Sequence, residues 1–176
     1  MSKVRVASTW LDGCSGCHMS LLDIDERILA LAEKVDIVYG PLVDAKEYPE
    51  KVDVALVEGA VSSEDDLEKI KLIRERTRLL VVLGDCAVTS NVPGMRNPYG
   101  VAAILNRAYI ENATIQAQIP TECVPKLLPH ARPVHEVVKV DVFVPGCPPS
   151  ADLIHYVLSE LCEGRIPDLG TRFRFG

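Results

Sequence analysis

No stretch of this 176-residue sequence approaches about 18 uninterrupted apolar residues, which excludes a membrane-spanning helix. Basic residues are the minority, 19 Lys and Arg against 25 Asp and Glu. The resulting net charge of −6 is the opposite of the basic footprint of a nucleic-acid binder. The opening stretch "MSKVRVASTW" has neither the pattern of a cleavable export signal nor a twin-arginine pair, so a cytoplasmic address is expected. A glycine-rich dinucleotide loop and a P-loop are both missing, and with them any nucleotide site of the usual kind on this chain. Internal repeats, linkers and low-complexity segments are absent too.

What is present is apolar. Hydrophobic residues make up 48% of the sequence and the mean hydropathy is positive, as expected of a covered parallel sheet or of a chain that buries surface against partners. The length suits a single domain over 1–176, which at this size hides about 70% of its unfolded surface and needs no disulfide staples. Valine- and leucine-rich runs at 3–8, 35–40, 52–59, 78–84 and 137–146 read as strands covered on both faces. Helical patterns lie between them at 20–34, 62–76, 99–110 and 149–164. Leu21, Ile24, Ile28 and Leu31 share one face of the first, and Ser62 or Ser63 caps the acidic start "EDDLE" of the second. This alternation predicts an α/β fold, a flavodoxin-like three-layer sandwich around a mainly parallel sheet. The proline-bearing segment 111–136 is expected to be an irregular connection.

Six cysteines in a reducing compartment point to metal ligands, redox groups or core thiols rather than structural disulfides. Cys14 and Cys17, in "DGCSGC", follow the first strand; Cys86 follows the fourth and Cys147 the fifth. All four therefore fall at carboxyl ends of parallel strands, the edge where open α/β folds bind ligands. Gly13, Gly16, Gly84 and Gly146 stand beside them and let the backbone approach a bulky anionic group with its amides. In "GCPPS" two prolines fix the loop and launch the last helix, whose N-terminus turns positive dipole toward the site. An iron–sulfur cubane suits four such thiolates. Two other chemistries remain open: a thioredoxin-type pair using only Cys14 and Cys17, and a structural zinc using all four.

"WLDGCSGCHMSLLD", "VEGAVS", "VVLGDCAVTSNVPGMRN" and "KVDVFVPGCPPS", in this order, resemble the small subunit of [NiFe] hydrogenases, most closely the cytoplasmic NAD-reducing (bidirectional) type. The resemblance runs from Val4 to about Gly164 and is weakest over 111–136. It implies one [4Fe–4S] cluster held by Cys14, Cys17, Cys86 and Cys147, proximal to a Ni–Fe centre on a separate large subunit. It also implies diaphorase subunits carrying further clusters, flavin (FMN) and the NAD site. The reaction of the whole would be the reversible oxidation of H₂ by NAD⁺ to NADH and a proton. The sequence ends about where the family's first domain ends, so the extra cysteine-bearing domain of membrane-bound uptake enzymes is not expected. His18 and Met19 stand where many uptake enzymes carry a serine and an acidic residue. The cluster subunit of NADH:quinone oxidoreductase is the alternative, but it typically has adjacent cysteines where this chain splits Cys14 and Cys17 by Ser15 and Gly16.

Further expectations attach to single residues. Glu58, in "VEGAVS", ends the third strand on the cysteine rim, where it is either a solvated carboxylate or a group serving the cluster or proton traffic once covered. Trp10 is expected at a subunit interface, His18 to be partly exposed, and Arg96 and Asn97 to build an interface near Cys86. His130, His135 and His155 read as structural or solvated. Cys162, on the face of Leu158 and Leu161, reads as a core thiol, and Cys123 as unligated.

Overall fold

The computed structural model describes residues 3–175. Strands β1 (Val4–Trp10), β2 (Val35–Tyr39), β3 (Val52–Glu58), β5 (Thr77–Leu83) and β7 (Val142–Val144) form a five-stranded sheet in the order β2-β1-β3-β5-β7. Strands β4 (Val61–Ser63) and β6 (Leu127–Arg132) stand apart from it. Every pairing in the large sheet is parallel. Numbered within that sheet alone the order is 2-1-3-4-5, the flavodoxin-like winding.

Period-two alternation divides the strand side chains between two cores. Val54, Leu56, Val81 and Leu83 face one side, under α1 (Gly16–Leu22), α2 (Arg27–Ala32) and α7 (Ala151–Cys162). Ala55, Val57, Leu80 and Val82 face the other, under α3 (Glu64–Arg76). Ile154 and Val157 of α7 and Ile70 and Ile73 of α3 are fully buried against these faces. The expected three layers are therefore present. Two short helices, α4 (Gly84–Thr89) and α5 (Asn91–Gly94), follow directly on β5.

Helix α3 starts on a capping box. The Ser63 hydroxyl accepts from the Asp66 N–H at 3.1 Å while the Asp66 carboxylate accepts from the Ser63 N–H at 3.0 Å. Helix α7 is capped by Ser150, whose hydroxyl accepts from the Leu153 N–H.

Four expected elements differ from what is observed. The helix at 20–34 is two helices, α1 and α2, separated at 23–26. Asp25 takes a left-handed φ of 60° there, a conformation an aspartate tolerates. Only Val142–Val144 of the run 137–146 pairs with β5, because Val137, Val138 and Val140 pack against the α3-side core after a short 3₁₀ turn at Val134–Glu136. The helix at 99–110 is α6 (Val101–Asn106) continued by a π turn over Arg107–Glu111, with no buried side chain in either. The segment 111–136 is not irregular throughout. Its Leu127–Arg132 portion is β6, paired antiparallel with the three-residue β4 in a second small sheet. No helix among the described residues is long and apolar enough to cross a membrane.

Candidate metal centre

The loops that leave the carboxyl ends of β1, β3, β5 and β7 are laced together by main-chain hydrogen bonds. After β1, Asp12 exchanges two with Ala60 after β3, at 3.0 and 2.7 Å, and the Leu11 N–H donates to the Glu58 carbonyl at 2.8 Å. Gly59, at φ +88°, permits this approach, since a Cβ there would stand 2.8 Å from the Asp12 carbonyl oxygen. After β5, the Asp85 N–H donates to the Gly146 carbonyl at 2.9 Å, and the buried Asp85 carboxylate accepts from the Gly146 N–H at 2.7 Å. The two halves meet at Gly84, φ +82°, where a Cβ would overlap the Cys17 sulfur. From α1, the Ser20 hydroxyl donates to the Pro149 carbonyl at 2.5 Å.

Between these loops lies a cavity of about 100 Å³ lined by Cys14, Cys17, Cys86 and Cys147 together with Glu58 and Asp85. The sequence expected convergence of four thiols from three segments, and the fold brings them round one space. Cys17 and Cys86 are half-buried, whereas Cys14 and Cys147 are exposed. The Asn91 amide reaches within 3.7 Å of the Cys147 sulfur.

Electrostatics inside the ring are those of crowded acids. Burial first, then the charge of Glu58 and then the other three thiols, push the Cys17 thiol far above its ordinary range. Burial is likewise the first cause that raises Cys86, with a main-chain N–H opposing it. Four such groups are stable as thiolates together only when cations are placed among them. Among the described residues no set of three His, Cys, Asp or Glu side chains is arranged round a single metal ion. The four thiols line one space between the loops. The donor set and the glycine cradle fit a polynuclear iron–sulfur group.

Several singled-out residues stand elsewhere than expected. His18 is buried, not partly exposed, because its Nδ1 and its N–H both lie 2.7 Å from Oε2 of Glu58. Glu58 itself is 2% exposed, which removes the solvated alternative. Trp10 is 40% exposed and meets the His18 ring edge-on at 5.5 Å. Arg96 and Asn97 make hydrogen bonds within the chain. Arg96 donates to the carbonyls of Ser62 and Leu128, and Asn97 exchanges two hydrogen bonds with Ala131, so they fasten β4 and β6 to the α5 turn. Cys162 is half-buried rather than enclosed, and Cys123 is exposed outside the cavity lining. Sequence reading missed Asp85, although its place between Gly84 and Cys86 marked it as a neighbour of the site.

Residues 14–161 match the family model described as NADH ubiquinone oxidoreductase, 20 Kd subunit. The chain belongs to this family. Among 20 Kd-subunit relatives, the NAD-reducing hydrogenase HoxS subunit delta of Cupriavidus necator is 43% identical over 172 residues, covering 95% of this chain and 82% of the relative. A subunit of the F420-non-reducing hydrogenase vhu of Methanocaldococcus jannaschii is 39% identical over 96% of the chain, which spans 59% of that longer protein. A solved NAD⁺-reducing [NiFe]-hydrogenase in the H2-reduced state contains a chain that superposes with a TM-score of 0.94 at 38% identity. That match covers 99% of this chain and 100% of the other. This member of the 20 Kd-subunit family is thus homologous to the electron-transfer small subunits of [NiFe] hydrogenases, as its motifs implied.

Proposed function

We propose that the chain is the electron-transfer small subunit of an NAD-linked [NiFe] hydrogenase and carries one [4Fe–4S] cluster on Cys14, Cys17, Cys86 and Cys147. The observation that supports this reading is the ring of four thiols, delivered by three loops of one sheet edge around a single cavity of about 100 Å³. Bound there, the group would supply reversible one-electron storage at a potential set by its surroundings.

The chain's own residues do the rest. Gly84 and Gly16 leave room beside the sulfurs of Cys17 and Cys14. The Asp85–Gly146 pair of hydrogen bonds holds the third and fourth ligand loops at a fixed spacing. Glu58 fixes the CxxC turn from beneath through His18. The exposed sulfurs of Cys14 and Cys147 mark the side from which a partner's redox centre approaches.

In this reading electrons pass between the Ni–Fe centre of a large subunit and diaphorase subunits with further clusters, FMN and NAD, in the cytoplasm. The relatives, both hydrogenase subunits, support the hydrogenase assignment over a quinone reductase. The test is metal and acid-labile sulfide analysis of the purified protein, with visible and reduced-state EPR spectra. Four irons and four sulfides per chain in a brown protein are expected, lost on substituting Cys86→Ser or Cys147→Ser but kept in Cys162→Ser. A colourless zinc protein refutes the proposal. Co-purification with a nickel-containing chain tests the partner.

A further inference from the structure

Glu58 is one of two buried carboxylates that line the cavity with the thiols, and one residue holds it twice. Its Oε2 receives two hydrogen bonds from one residue, the main-chain N–H of His18 at 2.7 Å and the His18 ring at 2.7 Å. The N–H belongs to the peptide unit that directly follows Cys17. It is also an N–H of the first turn of α1, which has no side-chain cap of its own. A carboxylate 40 residues away, at the end of β3, thus supplies the acceptor that α1 lacks. The other ring nitrogen, Nε2, is buried without a hydrogen-bond partner among the described residues. Glu58 is therefore the polar anchor that fixes the imidazole, edge-on against Trp10. Glu58 also lines the cavity, so its charge faces whatever the four sulfurs hold.

We propose that Glu58 and His18 form a hydrogen-bonded clamp that positions Cys17 and sets the reduction potential of the cluster. This rests on the cluster assignment above and extends it. A fixed negative charge beside a centre that gains an electron disfavours the reduced state, and burial strengthens the effect. The imidazole donor opposes that field. The two side chains consequently act on the potential with opposite sign, which a purely structural pair does not do.

The test uses the full-length protein with its cluster, followed by iron and sulfide counts and an EPR-monitored redox titration. Glu58→Gln keeps an oxygen that accepts from the His18 N–H, so it retains iron while its midpoint potential moves upward. His18→Gln keeps the main-chain bond, retains iron and moves the potential downward. Glu58→Ala removes the acceptor altogether and lowers iron loading. Unmoved potentials in both glutamine variants, or shifts of the same sign, overturn the clamp while leaving the cluster assignment standing. Where Glu58→Gln does not fold, the sign of the His18→Gln shift decides alone. A wild-type chain that holds no iron and sulfide overturns both readings.

Discussion

Gly84→Ala puts one methyl group where the two halves of the site meet, and its consequences separate into backbone and sulfur. Gly84 has φ +82°, so any side chain there carries left-handed strain of about 1–2 kcal/mol. That is a modest part of the roughly 5–15 kcal/mol that holds a domain folded, and the fold survives. The thermal midpoint should fall by only a few degrees, at about 2–4 °C per kcal/mol for a chain of this length. The new Cβ, however, would overlap the Cys17 sulfur, which must retreat by about 1.5 Å to reach ordinary contact. A ligand constellation tolerates about 0.5 Å. Iron loading should therefore collapse while the fold persists. Gly164→Ala is the matched control, because Gly164 has φ +74° and a methyl group there would meet nothing within 4 Å. It should incur the same strain and keep its iron. Iron and acid-labile sulfide per chain, read beside a denaturation curve, measure both effects. A Gly84→Ala protein with wild-type iron content would show that Gly84 does not shape a cluster site.

Two further substitutions test the frame that carries the site. Burial works against ionisation of Asp141, yet the Leu80 N–H and Arg74 outweigh it and hold the carboxyl below its ordinary value. Its stabilising contribution is complete above the unfolded value of about 3.9 and disappears as pH falls through the lower folded value. Asp141→Asn should cost about 1–3 kcal/mol near neutrality, leaving the difference from wild type to shrink on acidification in denaturant titrations at stepped pH. An unchanged difference at every pH would refute this. Ile154→Ala, at a fully buried position of α7, should cost about 2–5 kcal/mol in a urea titration, and a loss below about 1 kcal/mol would mean that α7 does not close that core.

The gathering of the four cysteines was legible in the sequence because a parallel sheet converts order into place. Cys14, Cys17, Cys86 and Cys147 each follow a strand run closely, so assigning the runs to strands put all four sulfurs on one edge. What escaped depended on partners distant in sequence. The burial of His18 is set by a carboxylate 40 residues on, and nothing in "GCHMS" announces it. Strand β4 has three residues and β6 contains Pro129, so neither shows a strand period of its own, and their pairing is held by Arg96 and Asn97. The break between α1 and α2 was readable in principle. "DIDE" places two aspartates in close succession on a helical pattern whose apolar face continues unbroken, and the apolar period hid them.

The lacing of the loops would let a small chain hold the proposed group steadily. Ligands on three separate loops would lose much conformational freedom on closing round a cluster if each loop moved independently. Here the freedom is already lost: the β1 loop is bonded to the β3 loop, the β5 loop to the β7 loop, and Cys17 packs on Gly84 between them. The two half-buried sulfurs, Cys17 and Cys86, belong to opposite halves of this arrangement, so both halves are anchored on the side toward the core. The exposed sulfurs, Cys14 and Cys147, also come one from each half. On the proposed reading, an electron entering from a partner at the surface would meet a centre whose inner contacts are fixed by the sheet, with little reorganisation on transfer.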